Sequence, residues 1–173
     1  MEDEAVDPIP DPEQQRVITA ASEALAAMRA GSDEGAVERV TAALHAGGDG
    51  GDDGRDRAQE LMLLLFGECS AMVAALGAGG TTPVKMQVYD NDGQEVPIDE
   101  ADPPVRTAVR TLLAEVHGDT EAARAHIDIA LANAAPEEMA TLMVQALRWT
   151  LRLSDECVRR DLPVADWITD AIT

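Results

Sequence analysis

Apolar positions fall at helical spacing along most of this chain. Val17, Ile18, Ala21, Ala24, Leu25 and Met28 recur at intervals of three and four, and Gly31 ends the run. A second helix is predicted after Ser32 or Asp33, burying Ala36, Val37, Val40 and Leu44. Residues 47–54, GGDGGDDG, read as a loop, being too flexible and polar for anything else. A third helix should run from about residue 55 to residue 76, and its unbroken apolar stretch over 61–66 marks it as a central helix buried all round. The period then changes. Val84, Met86 and Val88 alternate with Lys85, Gln87 and Tyr89, and Asn91-Asp92-Gly93 leads into a second strand over 95–98, which predicts a β-hairpin. Pro97 makes that strand an edge, and two strands alone are marginal in water, so the hairpin should lie on the helices or pair with another copy. Helical spacing resumes at Val105, Ala108, Val109, Leu112, Leu113 and Val116, behind Pro103 and Pro104, and breaks at Gly118. A further helix buries Ala123, Ile127, Ala130 and Leu131. The next opens at Pro136, and Leu162, Trp167 and Ile168 make a short closing helix.

The predicted fold is mainly α, with about seven helices arranged as two similar three-helix units plus a C-terminal helix, and a small β-hairpin between the halves. The similarity is internal. A shift of 87 residues places Leu25 on Leu112, Gly31 on Gly118, Ala36 on Ala123 and Val40 on Ile127. A shift of 78 relates Glu60, Leu64, Leu65 and Val73 to Glu138, Leu142, Met143 and Leu151, which suggests an internal duplication. On this reading residues 1–12 are a disordered acidic tail and 13–173 one helical domain, with units at about 13–80 and 103–160 joined by hairpin segment 81–102. The repeated turns, at Gly31 and Gly118, are similar to those of tetratricopeptide helical hairpins. The aromatic positions and the 34-residue period of that family are missing, so the chain is not assigned to it.

Composition narrows the function without naming it. Thirty-three acids against thirteen bases give a formal charge of −20, which opposes nucleic-acid phosphates and anionic lipid and would attract a basic partner. Residues 1–16, 49–57 and 90–102 carry sixteen of those acids and three bases. Most of the excess charge therefore lies outside the helical body. The first thirteen residues hold six acids and no base, unlike a signal peptide, and the six-residue apolar run is far below a membrane span. A cytoplasmic protein with no membrane contact is expected. Cys69 and Cys157 both fall in apolar helical patterns and read as buried free thiols.

Sites of chemistry are sought and not found. Gly77, Gly79 and Gly80 lack the lysine and following helix of a phosphate loop. The acids at 90–102 do not place a glycine sixth in an EF-hand loop, and Gly47-Gly48-Asp49-Gly50-Gly51-Asp52 matches the start of a calcium-binding β-roll repeat only once. His45, His117 and His126 show no metal-ligand spacing, and Cys69 and Ser70 lie within a helix. The expectation is no enzyme, no cofactor and no metal.

The preferred function is a non-catalytic protein-interaction module, adaptor or regulatory, whose partner is another protein or itself. The candidate contacts are the strand positions Val84, Met86 and Val88, and the aromatics Trp149 and Trp167, which with Met139 and Met143 could frame an apolar groove. Arg148, Arg152, Arg159 and Arg160 form the one basic cluster, expected to meet Asp155, Glu156 and Asp161. Two alternatives compete: an acidic mimic of nucleic acid that inhibits a basic DNA-binding protein, and a calcium or metal binder using the 90–102 acids.

Overall fold

The computed structural model describes residues 11–45, 51–77, 87–89 and 92–173. Among them are seven α-helices in the predicted order: α1 (Pro12–Arg29), α2 (Asp33–His45), α3 (Gly51–Leu76), α4 (Pro103–Val116), α5 (Thr120–Asn133), α6 (Pro136–Arg159) and α7 (Asp166–Ile172). Between α3 and α4 lie β1 (Val88–Tyr89), β2 (Glu95–Val96) and a 3-10 turn over Ile98–Glu100. The strands pair antiparallel, with Val88 opposite Val96 and Tyr89 opposite Glu95.

Three helix boundaries differ from expectation for local reasons. The Asp11 carboxylate caps α1 by accepting from the Glu13 amide, so the helix starts at Pro12, where a proline needs no amide partner. Helix α3 runs back to Gly51 through part of the expected glycine loop, because adding a turn to an existing helix needs no new nucleus. Leu162 precedes α7 and packs on the core from extended chain. The disorder expected of residues 1–10 falls outside the described residues.

The turns at the two glycines have one geometry. Gly31 (φ 91°) and Gly118 (φ 76°) occupy the left-handed region that closes a helix, and a Cβ at either would meet nothing within 4 Å. The Gly31 amide donates to Met28 and the Ser32 amide to Ala27; 87 residues later, Gly118 donates to Glu115 and Asp119 to Ala114. Each second donor then caps the next helix. Ser32 Oγ accepts from the Gly35 amide at 2.9 Å, and Asp119 Oδ1 from the Ala122 amide at 3.0 Å.

Helices α3 and α6 form the centre. Their buried faces, Leu61, Met62, Leu65, Phe66 and Cys69 against Leu142, Met143, Ala146, Leu147 and Thr150, correspond at an offset of 81 rather than the predicted 78. Across this interface the Cys69 thiol lies 3.3 Å from Thr150 Oγ1. The α1–α2 hairpin packs on α3 and α6, while α4 packs on both and α5 on α3. Ion pairs cross the same way: Arg29 binds Asp155 at 2.9 Å, Arg148 binds Asp33 at 2.9 Å, and Arg124 reaches Glu60 at 3.3 Å. The two predicted three-helix units therefore interlock.

The hairpin lies on the helices. Val88 is buried with Ala101 and Val109 in a second small cluster, flanked by Val96, Ile98, Val105, Leu113 and Trp149. Buried hydroxyls donate within their own helices, Thr111 to Thr107, Thr150 to Ala146 and Ser154 to Leu151. Among the described residues no buried side-chain nitrogen or oxygen lacks a partner.

Candidate functional site

Six consecutive apolar residues on one helix sweep more than a full turn, at about 100° per residue, so they cannot all face a single interface. In α3, Leu61, Met62, Leu65 and Phe66 are buried, while Leu63 and Leu64 are only partly covered. The expectation of an all-round-buried helix is corrected at these two positions. They come out beside the first turns of α1 and, with Val17, form the apolar floor of a groove of about 890 Å³. Its rim is acidic: Asp11 and Glu13 on the α1 side, Asp56 and Glu60 on the α3 side. Arg57 also lines it and is tied to Glu13 at 3.4 Å.

A smaller recess of about 310 Å³ occupies the corresponding place in the other half, where Pro104, Ile129, Met139 and Leu142 meet. Ile129 is 62% exposed there.

The sequence-predicted contacts are dispersed. Val84 and Met86 lie outside the described residues. Val88 turns its side chain into the protein, so the outward strand contact expected of it is not available from that side chain. Trp149 is partly buried and meets Phe66 edge to face, ring centres 6.3 Å apart at 73°, which ties the main core to the hairpin cluster. Trp167, also partly buried, hydrogen-bonds the Glu68 side chain. Neither tryptophan lines the two recesses described above, and Met143 is core.

The thiols are unsuited to nucleophilic work. Both are buried and free, and burial pushes Cys69 up to about 12, offset in part by its hydrogen bond with Thr150 and reinforced by Glu68. Burial also raises Cys157, with Glu156 adding to the effect and Arg160 opposing it. In the 90–102 region, Arg110 pairs with the Asp99 carboxylate and Arg106 donates to its carbonyl, which removes Asp99 from any open ligand set. Among the described residues no group of three His, Cys, Asp or Glu side chains converges as a metal site. Of the four arginines in the expected basic cluster, Arg159 and Arg160 bind Glu156 as expected, Arg148 reaches Asp33 instead, and Arg152 has no ion pair among the described residues.

One described helix, over Gly54–Leu76, has the length and hydropathy to cross a membrane. It carries Glu60 and Glu68, and it packs against α1, α2, α4, α5 and α6.

What sequence reading missed is the groove, although its signal was present. The six-residue apolar run exceeds what one buried face can hold, and the surplus pair marks the opening. Comparison of the chain with protein-family models, with curated proteins and with solved structures finds no match.

Proposed function

We propose that this chain is a non-catalytic protein-interaction domain, acting as an adaptor or regulator, with the α1–α3 groove as its contact surface. The observation that carries this reading is the partial exposure of Leu63 and Leu64 on a helix whose other face is core. A leucine pair left partly exposed beside a groove of this size is surface that a partner side chain can complete. Thiols held protonated, and buried hydroxyls engaged by their own helices, support a non-catalytic role. Two buried free thiols suit the reducing cytoplasm. We read the similar halves as a duplication, supported by the turn geometry that recurs at an offset of 87.

Mimicry of nucleic acid is the weaker reading. It needs free carboxylates at phosphate-like spacing, whereas Glu13 holds both Arg16 and Arg57 and Glu156 holds both Arg159 and Arg160.

The test is affinity capture from native cells followed by hydrogen exchange on the recovered complex. Protection is expected over residues 11–17 and 56–64. A chain that recovers no partner and sediments as a monomer at high concentration refutes the reading.

A further inference from the structure

We infer that the partner at the α1–α3 groove is a basic amphipathic segment of another protein, its apolar side chains on Val17, Leu63 and Leu64 and its Lys or Arg side chains on the rim. This rests on the interaction reading above and adds the chemistry of the occupant. Charge complementarity carries it. Of the five titratable residues lining the groove, four are acids, and the fifth, Arg57, shares Glu13 with Arg16, which lies outside the lining. Asp56 has no ion-pair partner among the described residues. Glu60 meets Arg124, which lies outside the lining, but the two side chains stay 56% and 45% exposed. A pair so open to solvent is weak and readily exchanged for an incoming cation. Nucleic acid, anionic lipid or an acidic peptide would meet charge of its own sign.

The dimensions agree with a short segment. From residue 56 to residue 64, α3 rises about 12 Å, enough to lie along about two turns of a docked helix. Two turns present apolar side chains at i, i+3 or i+4, and i+7, which matches a floor made by three side chains. A floor of three side chains cannot hold a large apolar surface, so the rim charges contribute to both attraction and orientation.

The test uses a fluorescent peptide of Leu and Lys, apolar on one face and about four turns long, titrated with the full chain at low ionic strength and followed by anisotropy. The variant Asp56→Arg/Glu60→Gln is expected to weaken binding at least about tenfold. The variant Glu121→Arg/Glu137→Gln makes the same change in net charge at two exposed positions away from the groove and is expected to alter binding less than about twofold. Equal losses in both variants, or equal affinity for a scrambled peptide with no apolar face, overturn the proposal, since attraction would then follow net charge alone. Circular dichroism checks that both variants keep their helices. Leu63→Gln leaves every ion pair in place and is expected to weaken binding about fivefold, through loss of apolar contact; no change overturns the proposal. If the complex from native cells is protected elsewhere on the chain, this inference fails while the interaction-domain reading stands. If no partner is recovered and the peptide does not bind, both fail.

Discussion

Between the turn at Gly31 and the turn at Gly118, five hydrogen bonds recur at the same offset, yet the helices leaving them meet different neighbours. Helix α4 is covered by the β-hairpin, whose Val88 closes a small core over Val109, and its first two prolines line the recess of about 310 Å³ beside α6. Helix α1 is covered by α7 and leaves about 890 Å³ open against the start of α3. Turn chemistry is local and repeats wherever the residues repeat. The open groove follows from what the chain places over each hairpin, and that differs between the halves.

The largest expected effect lies where the halves meet. Phe66 is fully buried between α3 and α6 and touches Trp149, so Phe66→Ala should cost about 3–5 kcal/mol in denaturant unfolding. The loss should appear as one cooperative transition. Two separate transitions would show that the interlocked halves are independent units.

The turns themselves can be compared directly. Gly31→Ala and Gly118→Ala should each cost about 1–2 kcal/mol, because alanine resists positive φ and neither site has a steric neighbour to add to the penalty. Equal losses sustain the equivalence, and a clear difference breaks it. A third turn serves as control. After α6 the same pair of bonds forms, Asp161 to Val158 and Leu162 to Cys157, but a non-glycine residue sits at φ 56°. Asp161→Gly should therefore stabilise the protein, by about 0.5–1 kcal/mol.

The smallest effect separates packing from charge. Burial raises Glu68 above its ordinary 4.5, and the hydrogen bond with Trp167 opposes the rise. Between 4.5 and the raised value, the folded state binds more protons than the unfolded state, so stability falls as pH rises through that window. Glu68→Gln keeps an acceptor for Trp167 and removes the charge. It should stabilise the protein at neutral pH, with the gain vanishing once the medium is acidic enough to protonate the glutamate in both states. Thermal unfolding of both proteins across pH checks this.

Much of this architecture was legible in the residues. Glycine, proline and period marked nearly every helix, and Val88 with Gly93 announced the hairpin, although its second strand stops at Val96 and Ile98 enters the 3-10 turn. Boundaries slipped where a cap or an existing helix extended an element, as at Asp11 and Gly51. The candidate site was not located. Val88 stands out by the two-residue alternation of its strand, and Trp149 and Trp167 as two of only four aromatics in the chain, but neither signal says whether a side chain faces inward. Leu63 and Leu64 sit in the most hydrophobic stretch and for that reason were assigned to the interior.

Local pattern by itself determined the helices and their turns, since each depends on residues within about a turn of one another. Tertiary structure alone decided the offset of 81 between α3 and α6, the arginine pairs that cross between halves, and which two leucines of a six-residue run stay partly exposed. Those outcomes depend on neighbours far along the chain, and periodicity carries no information about which face a distant helix will cover.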